Sequence, residues 1–150
     1  MPPEVVIDAT NLILGRMASI VAKMLLMGYK VTIVNAEKAV VSGKPKMVIE
    51  SYKLLFRVKT LRNPYRTGIR RPRTPERIIR YAIRGMLPKN NPRGKKALKN
   101  LRVYVGVPEE VKGKEIKTIK EASADRLRGK YITVGELAKQ LGWKGVMPQQ

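Results

Sequence analysis

At 150 residues, 43% of them hydrophobic, the chain can bury one core and fits a single domain spanning 1–150, but its formal charge of +21 calls for a polyanionic partner. The absence of cysteine and histidine excludes disulfide frameworks, thiolate nucleophiles and cysteine metal sites, and removes the commonest metal ligand and the commonest general acid or base. The apolar runs at 17–22 and 24–29 are split by Lys23 and fall short of a membrane span, and MPPEVVID is not a signal peptide, so a cytosolic location is expected.

Val5-Val6-Ile7 reads as a strand buried on both faces and ending at Asp8. Leu14, Met17, Ala18, Val21 and Leu25 then recur at helical spacing over 14–27, with Gly28 suited to the position past the helix end. Val31-Thr32-Ile33-Val34 repeats the strand pattern and stops at Asn35. Strand, helix and strand in about thirty residues is a βαβ unit, which predicts a parallel sheet. Val40-Val41 adds a small strand. Ser42 then marks the N-cap region of a helix over about 45–58, with Val48, Tyr52, Leu55 and Phe56 on its buried face.

Residues 57–102 hold sixteen bases against one acid, Glu76, a net +15, so the other 104 residues carry only +6. Pro64, Gly68 and Pro72 forbid regular structure over 60–74, which reads as an irregular basic arm bearing Arg62, Arg66, Arg70, Arg71 and Arg73. Thr74, Pro75 and Glu76 are N-cap, first-turn proline and first-turn acid of a helix ended by Gly85-Met86-Leu87-Pro88. At about 100° per residue, Arg77, Arg80 and Arg84 share one face, while Ile79, Ala82, Ile83 and Met86 share the opposite one. A second basic connector follows, with Lys89, Arg93, Lys95, Lys96 and Lys99. Leu101-Arg102-Val103-Tyr104-Val105 alternates like a strand closed by Gly106-Val107-Pro108. Residues 109–130 are weakly periodic, with a strand at 116–119. Thr133 and Glu136 have capping-box spacing for a helix to Leu141, with Gly142 past its end and Trp143 folding back.

A charge run is usually a solvated surface, but this one is unbalanced and, from Arg57 to Arg84, prefers arginine, which suits bidentate phosphate binding. The arm, helix and connector residues named above are therefore the candidate RNA contacts. Tyr65, Tyr81 and Tyr104 lie among arginines as stacking residues do, with packing the better reading for Tyr104. Arg16 and Lys23 are equally well read as solvating their helix. Gly15 after a strand invites a nucleotide site, but one glycine falls short of the dinucleotide fingerprint, and 42–45 lacks Walker spacing, so Gly15 reads as structural packing. Asp8, Glu37 and Glu50 show no spacing that would make them converge and read as structural.

Two blocks resemble the universal large-subunit ribosomal protein L-thirteen family. The first runs from Ile7-Asp8-Ala9 through Leu14-Gly15-Arg16-Met17-Ala18-Ser19 and Val21-Ala22-Lys23 to Val34-Asn35-Ala36-Glu37 and Ser42-Gly43. The second, more specific, is Arg84-Gly85-Met86-Leu87-Pro88-Lys89, Gly94-Lys95, and Leu101-Arg102-Val103-Tyr104 with Gly106. Pro108-Glu109-Glu110 departs from the bacterial branch and is closer to archaeal and eukaryotic members. The resemblance implies a three-layer α/β/α fold with a short, mostly parallel sheet and basic extensions. It also implies binding to large-subunit ribosomal RNA beside other ribosomal proteins, a structural and early-assembly role in the cytoplasmic ribosome, and no catalytic site, cofactor, membrane or small-molecule substrate.

Two other classes compete with this reading. A nucleotide-dependent RNA-modifying enzyme would use the strand ends near Asp8 and Asn35, and saturable mononucleotide binding would reveal it. A free basic nucleic-acid chaperone would bind without regard to sequence or shape and would not sediment with large subunits. The arm over 61–74, with five arginines and no acid, is expected to order only on RNA. Protease should therefore cut the free protein there first; first cleavage within 5–34 would show the arm packed on the body.

Overall fold

The computed structural model describes residues 3–54, 73–88 and 90–143. In chain order it forms β1 (Glu4–Asp8), α1 (Leu14–Leu26), β2 (Lys30–Val34), β3 (Val40–Ser42), α2 (Pro45–Leu54), α3 (Pro75–Gly85), α4 (Pro92–Lys99), β4 (Leu101–Val103), β5 (Ile116–Lys117), β6 (Tyr131–Thr133) and α5 (Val134–Gln140). Helix α1 ends where only glycine is comfortable. Gly28 has φ +99°, its N–H donates to the Leu25 carbonyl, and the Tyr29 N–H donates to that of Met24, the paired bonds of a Schellman cap. Helix α5 closes in the same way, with Gly142 and Trp143 donating to Lys139 and Ala138.

Strands β4, β2, β1 and β5 lie side by side in that order, all parallel, with Val5 opposite Val31 and Val31 opposite Leu101. The strands read from the sequence at 5–7, 31–34 and 101–105 are thus neighbours in one sheet, the last of them ending at Val103. Alternation divides their side chains between two faces. Ile7, Val31, Ile33 and Leu101 enter the main core with apolar residues of α1, α3, α4 and α5, whereas Val6 and Val34 enter a separate cluster with Val111. The architecture is thus the expected three-layer α/β one, and over the second cluster its third layer is a short 3-10 turn, Glu109–Val111.

Several elements differ from the sequence reading. The connector after Pro88 contains the helix α4, whose Asn91-Pro92 start uses the same N-cap and first-turn proline as Thr74-Pro75. Its basic residues hid the period, because its inward face offers only small residues, Gly94 and Ala97, with Leu98 half-buried. Strand β3 does not join the main sheet; it pairs antiparallel with the unforeseen β6, Val41 opposite Ile132. Ser42 closes that strand, and α2 begins at Pro45 with the Val48 N–H donating to the Lys44 carbonyl. Val48 is buried and Tyr52 half-buried as expected, while Leu55 and Phe56 lie outside the described residues.

Ile33 is fully buried at the centre of the sheet, between β1 and β4. Ile33→Ala should cost roughly 2 to 5 kcal/mol in a denaturant melt. A loss under about 0.5 kcal/mol, the size of a surface change, would remove β2 from the core.

Candidate nucleic-acid interface

The start of α3 is set by local chemistry. The Thr74 hydroxyl accepts from the Arg77 N–H (3.3 Å), Pro75 occupies the first turn and Glu76 stands near the positive end of the helix dipole. Ile78, Ile79 and Ile83 are buried and Ala82 is half-buried, while Arg77, Arg80 and Arg84 are exposed. Met86 was expected in the core but is 46% exposed. The helix stops at Gly85, the 100° projection ends with it, and Leu87 enters the core instead.

The three arginines are not equivalent. Arg80 Nη1 donates to the Leu101 carbonyl oxygen at 3.2 Å, closing a backbone acceptor on the edge strand β4. Among the described residues no such bond engages the side chains of Arg77 and Arg84.

On α4, the Asn91 side chain accepts from the Arg93 N–H (2.9 Å), and Lys95, Lys96 and Lys99 are exposed. Arg93 Nη2 reaches the Leu26 carbonyl oxygen at 3.4 Å, placing a cation at the negative C-terminal end of α1. Gly94 has a packing role, since a Cβ there would collide with the Pro88 carbonyl oxygen. The absence of that side chain brings α4 onto the turn leaving α3.

Helix α1 packs against both α3 and α4. Its exposed residues include Arg16 and Lys23, which lie seven positions apart on one side of the helix. The three helices together contain one acid, Glu76. Their outer surfaces therefore form a basic layer on one face of the sheet. Arg73 is exposed and comes close to the α5 terminus at Gly142. Tyr81 on α3 is exposed, and Tyr104 is half-buried with its N–H donating to the Ile33 carbonyl at 2.8 Å. Arg62, Tyr65, Arg66, Arg70, Arg71 and Lys89 lie outside the described residues.

At the strand ends the polar groups converge more than their spacing implied, but they serve the chain itself. Asp8 Oδ1 accepts from the Thr10 N–H (2.9 Å), the Thr10 hydroxyl (2.6 Å) and Asn35 Nδ2 (3.1 Å). Burial opposes its ionisation, yet these hydrogen bonds outweigh burial and hold the carboxyl below its usual value. Glu37, only 1% exposed, accepts the Gly106 N–H at 3.0 Å and ties the end of the β4 segment to the end of β2. The packing role expected of Gly15 is not found, because a Cβ there would meet open space. Trp143 folds back as expected, half-buried against the core. Among the described residues no helix is long and apolar enough to cross a membrane.

The family model described as Ribosomal protein L13 matches residues 3–110. Large ribosomal subunit protein uL13 of Aeropyrum pernix is 52% identical over 142 residues, covering 95% of this chain and 92% of the relative. Its counterpart in Saccharolobus solfataricus is 55% identical over 141 residues, covering 94% of each, and that of Archaeoglobus fulgidus is 44% identical over 94% of this chain and 89% of its own length. These matches reach through the C-terminal third, where the sequence had pointed away from the bacterial branch.

The bond from Arg80 to the strand edge separates it from its neighbours in stability. Arg80→Gln should cost about 0.5 to 1.5 kcal/mol, the usual worth of one hydrogen bond. Arg77→Gln and Arg84→Gln should each stay within about 0.5 kcal/mol. Denaturant melts of the three variants measure this; equal midpoints would show that the Leu101 contact contributes nothing in solution.

Proposed function

Because this chain belongs to the ribosomal protein L13 family, we propose that the basic layer of α1, α3 and α4 is the surface it turns toward large-subunit ribosomal RNA. The protein is a structural constituent of the large ribosomal subunit and not an enzyme. One observation carries the assignment of the surface: three helices packed side by side expose Arg16, Lys23, Arg77, Arg84, Lys95 and Lys96 with a single acid among them. Positive charges held this close repel one another, and closely packed phosphates relieve that repulsion while releasing their own counterions. Arginine adds paired donors to each phosphate, which fixes orientation as well as charge.

The arm residues Arg62, Arg66, Arg70, Arg71 and Arg73, with Lys89, extend the same surface in this reading, within one domain spanning 1–150. Arg80, Arg93 and Lys99 also belong to it, although Arg80 and Arg93 reach RNA from positions already fixed by backbone contacts. The work is mechanical: the α/β body holds the cations in register so that RNA segments can approach each other, which supports early assembly beside neighbouring ribosomal proteins in the cytoplasm. The strand ends near Asp8 and Asn35 do not favour a nucleotide enzyme, since Asp8 accepts hydrogen bonds from Asn35 and Thr10 of the chain itself.

A salt titration of binding to large-subunit RNA tests the surface. The double variant Arg77→Gln/Arg84→Gln should shrink the slope of log affinity against log salt by about 0.7 to 0.9 for each phosphate that is no longer neutralised. An unchanged slope in a protein of wild-type stability would take α3 out of the interface.

A further inference from the structure

Among the described residues the second face of the sheet is only partly covered. Val6 and Val34 are roofed by Val107 and Val111, and Val111 also borders the strand N-termini at Glu4 and Lys30. There a groove of about 340 Å3 opens over β1, β2 and β4, with Lys30, Lys99, Arg102 and Lys114 lining it against Glu4 and Glu110. The volume lies at the small end of ligand-sized sites. Glu4 accepts from Lys114 at 2.9 Å, so that pair cancels and three cations face one remaining carboxylate. Thr32, 6% exposed, and Tyr104 also line the groove, and Tyr104 lies beside the Arg102 guanidinium.

Two features identify the occupant. The surplus of positive charge calls for an anion, and Lys99, the last residue of α4, belongs both to the groove and to the basic helical layer. We propose that the groove is a second RNA contact, in which an RNA segment passing α4 rounds the open edge of β4 and sets backbone phosphates against Lys30 and Arg102. This rests on the helical layer being an RNA surface and extends that surface to the other side of the sheet. Neither residue was singled out as a contact in the sequence, because each sits on a strand whose alternate positions are core. Side by side on β2 and β4, with Thr32 opposite Arg102 in register, they face the same way.

Lysine acetylation of the full-length wild-type protein, free and bound to large-subunit ribosomal RNA, reads the groove without perturbing the fold. Lys30 should become unreactive on RNA, while Lys139 on α5 should not. In parallel, Lys30→Gln/Arg102→Gln should reduce the salt slope by about 1.4 to 1.8, the equivalent of two phosphates, with an unchanged melt. The groove is refuted if Lys30 stays reactive on RNA and this variant keeps the wild-type slope while Arg77→Gln/Arg84→Gln lowers it; the helical surface then stands alone. If neither variant changes the slope, both readings fall. Protection of Lys30 in complete subunits but not by RNA alone would also overturn the proposal, since a neighbouring protein would then fill the groove.

Discussion

A guanidinium or ammonium group without a partner cannot be buried, and between residues 57 and 102 one acid is available to sixteen bases. Pairing within the segment can therefore serve at most one of them. Helices α3 and α4 turn their bases outward and anchor themselves with whatever apolar surface remains. On α3 that anchor is Ile78, Ile79 and Ile83. On α4 it is reduced to Gly94 and Ala97, with Leu98 half-buried, and close backbone approach replaces side-chain volume. Both helices rest with α1 on the Ile7, Val31, Ile33 and Leu101 face of the sheet, so the charges gather on one outer layer.

Helix ends carry much of the remaining order. Thr74-Pro75 and Asn91-Pro92 start two basic helices by the same device, satisfying an orphan N–H with a side-chain oxygen and spending no N–H at the proline. The Schellman caps after α1 and α5 then turn the chain sharply at Gly28 and Gly142. Arginine enters this framework too. Arg93 sits at the C-terminal end of α1 and Arg80 at the open edge of β4, so part of the basic surface is oriented by the fold before any partner arrives. A cation already held by a carbonyl gives up less freedom when it meets a phosphate.

The sheet's two faces have different fates because the crossovers that build it fall on one side. Both long connections, β1 to β2 through α1 and β2 to β4 through α3 and α4, advance in the same direction across the sheet, and right-handed crossovers then place their helices on the same face. The opposite face receives the returning chain between β4 and β5, which covers Val6 and Val34 with Val107 and Val111. Beside that cover, among the described residues, the exposed Lys30 and Arg102 line the groove with the buried Thr32 between them.

Periodicity and end signals in the sequence were enough for β1, α1, β2, α3 and α5 and for a parallel sheet, because each is set by local spacing that burial on one face then confirms. They were also enough to locate the net +15 and to place Arg77 and Arg84 on an outer surface, since a helix's polar side follows from its apolar one. The helix α4 was written in Asn91-Pro92 but masked by a face of small residues, whose burial depends on Pro88 standing close by. Only tertiary structure could set Arg80 and Arg93 against carbonyls 21 and 67 residues away, pair β3 with β6, bring Asp8 to Asn35, or join Lys30, Lys99 and Arg102 around one groove. Those contacts depend on which strand lies beside which, and the energies that decide strand order are summed over the whole core and are not carried by any one stretch of chain.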